Sequence, residues 1–192
     1  MGIDLSLIWF VIIVFATLMY IVMDGFDLGM GILFPATQNG DDRDVMVNSV
    51  APVWDGNETW LVLGGAALFG AFPLAYAVII DALTTPLTLM LIGLIFRGVA
   101  FEFRFKATPA HRPFWDKAFI GGSILATFTQ GVTVGAVING FSVTGRAYSG
   151  GPFDWFTAFN LFCGAGLVIA YALLGSTWLV MKSENALQQR MR

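Results

Sequence analysis

Charge is what this sequence has least of. Asp, Glu, Lys and Arg make up 12% of its 192 residues, where a soluble domain carries about 25%. So few charges cannot clothe a water-facing surface of this size. Cysteine is nearly absent too. The single Cys163 excludes an intrachain disulfide and cannot ligate an iron–sulfur cluster. It lies in the apolar run FNLFCGAGLVIAYALL and reads as a small packing residue. The one histidine, His111, falls in the basic stretch ATPAHRPFWDK and reads as an ordinary loop residue. No CxxCH occurs, and the eight Met form no pattern. The GMG and GG pairs lie inside apolar runs, not between a strand and a helix, so no phosphate loop is present. The chain thus has no evident ligand set of its own for haem or metal. The formal net charge of −3 says little, because in a membrane protein the distribution of Lys and Arg matters more than their sum, and no nucleic-acid partner is expected.

What is present is long apolar sequence. Hydrophobic residues make up 57% of the chain. Residues 5–23, LSLIWFVIIVFATLMYIVM, hold no charged side chain, and about 20 such residues span a bilayer as a helix. No Lys or Arg precedes Arg43 and no small-residue cleavage site follows, so this first segment is expected to be a retained helix rather than a signal peptide. The fold class expected is all-α, a polytopic membrane protein with five transmembrane helices. The spans are placed at Leu5–Leu33, Trp54–Ile80, Leu83–Phe101, Phe119–Ile138 and Phe156–Val180, with a turn around Asp81 between the second and third. Gly25/Gly29 and Gly131/Gly135 have the four-residue spacing that lets helices approach closely, and are read as ordinary packing. Trp54, Trp60, Trp115, Trp155 and Trp178 fall near span ends, as in an aromatic belt.

Basic residues set the orientation. With the N-terminus outside, Arg43, the Arg104–Lys117 loop and the Lys182–Arg192 tail lie inside, and only Arg146 lies in an outer loop. That asymmetry fits the positive-inside rule. The same orientation puts Asp24 and Asp27 (MDGFD) at the inner end of span one, and Trp54, Asp55, Asn57 and Glu58 (WDGNE) at the inner mouth of span two. Arg97 and Glu102 end span three on that side.

Carboxylates facing lipid at mid-bilayer cost about 2.5–3.5 kcal/mol each. These acids must therefore face protein, water or the interface. Asp41 and Asp44, in the loop, are expected to be solvated. Glu58 has an equally plain reading at headgroup level. Asp24/Asp27 and Asp55/Glu58 are each three apart, so each pair shares one helix face. Chains of such groups relay protons in pumps and transporters. Asn57 and Asn48 could hold water beside them. On residues alone three readings stay open: a proton-coupled secondary transporter half with a helix broken at DGFD, a proton-conducting subunit of a larger enzyme, and a structural membrane scaffold. The transporter ranks first at this point.

MDGFDLGMGILFP, VNSVAPVWDGNETWLVLGGAALFGAFPLAYA, LIFRGVAFEFRFK and LFCGAGLVIAYALLGSTWLVMK occur in this order. Together they resemble subunit II of the cytochrome bd-type quinol oxidases over essentially the whole chain. The HRPFWDKAFIGGS block resembles the cyanide-insensitive branch most. The resemblance implies a non-haem subunit of a bacterial inner-membrane quinol:dioxygen oxidoreductase. It implies a partner, subunit I, that carries haems b and d and the quinol site, while this chain binds no cofactor by its own ligands. Membrane lipid, and a bound quinone, are further ligand classes it brings in. It implies proton transfer by Asp55 first, then Asp24, Asp27 and Glu58, with Trp54, Asn57, Arg97 and Glu102 as interface or polar support. It also implies nine spans in two related four-helix bundles plus a last helix. Residues 1–150 then correspond to the first bundle, and 151–192 to a fifth helix and cytoplasmic tail that begin the second. The chain is expected to be truncated to the N-terminal half. The resemblance moves the oxidase subunit ahead of the transporter.

Overall fold

The computed structural model describes residues 4–37 and 39–191. Arg192, one of the basic tail residues, lies outside the described residues. The described residues are all-α apart from one small hairpin. Helix α1 covers Leu5–Leu33, α2 Gly40–Val50, α3 Trp54–Ala71, α4 Pro73–Lys106, α5 Arg112–Asn139, α6 Ala158–Lys182 and α7 Asn185–Arg190. Strands β1 (Val143–Thr144) and β2 (Ala147–Tyr148) pair antiparallel, with Val143 opposite Tyr148. Gly145 turns the hairpin at φ +65°, where a side chain would be strained.

Local chemistry sets the helix ends. Asp4 caps α1 by accepting from the backbone N–H of Ser6 at 3.0 Å and Leu7 at 3.2 Å. Thr157 caps α6 through the N–H of Asn160 at 3.2 Å. Proline stands in the first turn of α4 and of α5, where its missing N–H costs no helical bond.

Among the described residues, four helices are long and apolar enough to cross a membrane: Leu5–Ala36, Pro73–Lys106, Arg112–Asn139 and Ala158–Lys182. They account for four of the five expected spans. The Trp54–Ile80 span does not form as one helix. Pro73 removes a donor and disfavours helical geometry at Phe72, which takes φ −134° and ψ 62°. Helix α3 therefore stops at Ala71 after 18 residues. The turn expected around Asp81 is absent as well: Asp81 is an exposed residue within α4. The chain bends instead at Leu83, with φ −114° and ψ 15°, one turn before Pro86. Proline has no N–H for the carbonyl of Ala82 and its ring crowds that carbonyl, so the preceding turn gives way.

Helix α1 packs on α3, α5 and α6, and α5 lies between α4 and α6. Glycine makes the closest crossings. A Cβ on Gly93 would meet the backbone of Gly122 and Ala126 at 2.8 and 2.7 Å. Gly29 of α1 abuts Gly175 of α6, and Gly131 of α5 abuts Cys163 and Gly164 of α6. The glycine pairs thus serve helix packing, as their spacing predicts. Charged ends gather on one side of this assembly, where Arg104, Asp44, Asp116 and Arg112 meet. The Leu83 bend, the hairpin and Trp155 gather on the other.

Candidate functional site

Three helices bring the motif acids to one arginine. Asp24 and Asp27 stand one turn apart on α1, and Arg97 comes from α4; all three are 0% exposed. Arg97 Nη2 donates to Asp24 Oδ1 at 3.4 Å and lies 3.8 Å from Asp27 Oδ2. Its Nη1 donates to Glu58 Oε2 of α3 at 3.3 Å. Glu58 keeps 26% of its side chain exposed, so it joins the buried pair to the surface and is more than a headgroup-level residue. Asn57 Nδ2 donates to Asp27 Oδ2 at 2.8 Å and reaches the Met23 carbonyl at 3.3 Å. The guanidinium lies 5.1 Å from the centre of the Trp54 ring, which packs on Phe101. Cations are attracted to such a ring face. A charged guanidinium needs this enclosure of acceptors and π-density to be buried at all.

The structure brings together six of the eight residues singled out in the sequence: Asp24, Asp27, Trp54, Asn57, Glu58 and Arg97. Two stand apart. Asp55 is exposed on the first turn of α3, one turn before Glu58. Glu102 is exposed and, among the described residues, pairs only with Lys106 on its own helix, at 3.7 Å. Asn48 is also exposed and away from the cluster.

A second ionic cluster closes the same end of the molecule. Arg104 donates from Nε to Asp116 Oδ1 at 2.6 Å and from Nη1 to Asp44 Oδ1 at 2.5 Å. Arg43 donates to the other oxygen of Asp116 at 2.7 Å and to the Thr37 carbonyl at 2.9 Å. The Phe34 ring lies beside both guanidinium groups, 5.3 and 5.4 Å away. Asp44 is thus an ion-pair partner of a buried arginine and not a freely solvated loop acid. Helix α2 folds back onto the ends of α4 and α5, and no local sequence pattern announces that.

Sequence reasoning also missed a set of buried polar side chains. Tyr20, Ser123, Thr127, Gln130 and Tyr171 each present a buried oxygen with no hydrogen-bond partner, as do Asp24 Oδ2 and Asp27 Oδ1. Their signal was available: Tyr20 precedes Asp24 by one turn, and Ser123, Thr127 and Gln130 recur on one face of α5. Among the described residues no group of three His, Cys, Asp or Glu has the geometry to hold a metal ion.

Fold and site together define a membrane-integral, all-helical protein with an ionic cluster buried near one end of its apolar helices. The chain belongs to the family described as cytochrome bd terminal oxidase subunit II, whose model matches residues 5–192. It is 35% identical over 198 residues to a probable cytochrome oxidase subunit 2 of Haemophilus influenzae, covering 98% of this chain and 52% of that protein. It is 34% identical over 195 residues to the cytochrome bd-I ubiquinol oxidase subunit 2 of Escherichia coli K12, covering 98% and 52%. A cytochrome bd ubiquinol oxidase subunit 2 of Bacillus subtilis is 28% identical over 190 residues, covering 96% and 56%. The chain spans about half the length of the curated relatives it matches. None of these three names distinguishes a cyanide-insensitive branch.

Proposed function

We propose that this chain serves a bacterial terminal quinol:dioxygen oxidoreductase as its non-haem subunit, and that it supplies a proton uptake route from the cytoplasm. Family membership supports the oxidase setting. A partner, subunit I, then carries haems b and d and the quinol site. The relatives are named as oxidase subunits, which favours this reading over a transporter half or a scaffold.

One observation carries the proton role. The motif WDGNE divides its acids between two environments. Glu58 turns inward to Arg97, and Asp55 one turn earlier is exposed. An exposed acid beside a half-exposed one, itself bonded to a buried cluster, is the order of groups a proton would meet on leaving water. Asp55 takes protons from the cytoplasm in this reading. Glu58, Asp24 and Asp27 are the inner groups, and Arg97, Asn57 and Trp54 hold them in place.

The charged end of the molecule is the cytoplasmic one, with the N-terminus in the periplasm, because its exposed Lys and Arg follow the positive-inside rule. Helix α3 makes the fifth crossing: 18 residues rise about 27 Å, close to the roughly 30 Å of a bilayer core. Its acids sit at the inner mouth, which is why it is less apolar than the other four.

The test is Asp55→Asn in the assembled oxidase. Oxygen-reduction turnover is expected to fall on the order of 100-fold, the lower end for losing a positioned proton-transfer group. Haem content and unfolding midpoint stay at the native values, since Asp55 is exposed. Unchanged turnover and unchanged membrane-potential generation contradict the proton role. Loss of all haem contradicts it in favour of an assembly role.

A further inference from the structure

The buried part of the Arg97 cluster holds more acid than base. Glu58 keeps 26% of its side chain exposed. Asp24, Asp27 and Arg97 have no such access, so two ionised aspartates would leave a net negative charge inside the protein. Buried groups in that position neutralise rather than remain charged. The two aspartates are not equivalent. Asp27 Oδ2 accepts from Asn57 Nδ2 at 2.8 Å and lies 3.8 Å from Arg97 Nη2, while its Oδ1 is buried without a partner. Asp24 has only Arg97, on Oδ1, and its Oδ2 is buried without a partner.

A second observation does not depend on counting acids. The Tyr20 hydroxyl, one turn from Asp24 on the same face of α1, is buried and unpaired. So are the Tyr171 hydroxyl of α6 and Gln130 Oε1 of α5. Tyr171 packs against α1 beside Asp24, where a Cβ on Gly25 would meet its ring at 2.8 Å. Buried polar groups are hydrogen-bonded in folded proteins. A protonated Asp24 satisfies that requirement and the charge balance at once.

We propose that Asp24 is a proton-binding site, its Oδ2 carrying a proton toward the Tyr20 hydroxyl, with Tyr171 and Gln130 ending the chain. A carboxylate takes up one proton from water that reaches Glu58. An O–H bond forms at Oδ2 and no electron moves. Asp27 remains a carboxylate, accepting from Asn57 at 2.8 Å with Arg97 3.8 Å away, while Asp24 Oδ1 still accepts from Arg97 at 3.4 Å. The groups facing Asp24 are Tyr20 and Asp27 of α1, Glu58 of α3, Arg97 of α4 and Tyr171 of α6, while α5 presents the neutral Gln130. Beyond Gln130 the path closes, because Gly131 is packed against the Cys163 carbonyl and Gly164 and a Cβ there would meet both at 2.7 Å. Ala16, the next residue on that face of α1, is fully buried. A site entered on the Glu58 side and closed along α1 and α5 holds a proton without passing it to the opposite face of the membrane.

The inference rests on the uptake reading only for the route by which the proton arrives. Infrared spectra of the full chain, solubilised with the subunits that co-purify, test it through the carbonyl stretch of protonated carboxyl groups. A band is expected at neutral pH, lost in Asp24→Asn and shifted in frequency, not lost, in Tyr20→Phe. Persistence of the whole band in Asp24→Asn overturns the proposal. So does an unshifted band in Tyr20→Phe, which decides the matter even if Asp24→Asn fails to fold. Asp55→Asn separates the two readings. Native turnover with the Asp24 band intact defeats the uptake route alone, and lowered turnover with no Asp24 band defeats the storage site alone.

Discussion

Arg97 and Arg104 stand two turns apart on α4, both buried, and their surroundings differ in kind. Arg104 makes hydrogen bonds of 2.5 and 2.6 Å to two carboxylates, and Arg43 takes the remaining oxygen of Asp116 at 2.7 Å. Neither Arg104 nor Asp116 has a buried polar atom without a partner. Arg97 faces three carboxylates at 3.3 to 3.8 Å, and its Nε has no acceptor. One cluster is satisfied and ties α2, α4 and α5 together. The other has excess acid, longer contacts and open hydrogen-bonding capacity. A fully satisfied polar network rigidifies a fold, whereas an unpaired buried polar group is costly in the low-dielectric interior. The difference suits a supporting role at the Arg104 cluster and is consistent with the proton chemistry proposed for the Arg97 cluster.

The contrast can be broken most forcefully at Arg104. Arg104→Gln leaves Asp116 and Asp44 without their shared partner and is expected to cost about 3–5 kcal/mol. Thermal unfolding of the solubilised protein reads this directly, and an unchanged midpoint contradicts the supporting role. Arg104→Lys should not restore it, because a single ammonium cannot reproduce the forked geometry.

Gly122→Leu acts on the other cluster. The backbone N of Arg97 would lie 2.7 Å from a Cβ at Gly122, so α5 must move off α4 there. About 1–3 kcal/mol is expected for such overpacking, together with greater access of water to the Arg97 cluster. Hydrogen exchange on α4 should rise around Arg97 more than around Arg104. Equal changes at the two positions would mean that the clusters are not independent.

Glu102→Ala should do least. Its one partner among the described residues is Lys106 on the same helix, both side chains are mostly exposed, and such pairs contribute little. No resolvable shift in unfolding midpoint is expected. A clear loss would give Glu102 a role in holding this end of α4.

Much of this arrangement could be read from the chain. Apolar runs located α1, α5 and α6, and the three-residue spacing in DGFD and WDGNE put the paired acids on common faces. Arg97 near the end of its span was placed on the same side as those acids by the basic-residue asymmetry. Other features depend on tertiary structure. Phe72 breaks the chain because of Pro73, a local signal outweighed by the apolar run around it. Asp44 resembles any solvated loop acid until α2 folds back on Arg104. Tyr20, Tyr171 and Gln130 are single polar residues in apolar segments, and each becomes informative only once the other two are placed beside it.

The two clusters are compared most directly by one substitution made in both, Asp116→Asn and Asp24→Asn, with unfolding midpoints measured side by side. Asp116 is a carboxylate held by two arginines, so its amide should cost about 3–5 kcal/mol. Asp24 is a neutral acid in this account, and an amide of the same shape should cost under about 1 kcal/mol. A loss at Asp24→Asn equal to or greater than that at Asp116→Asn would contradict the account.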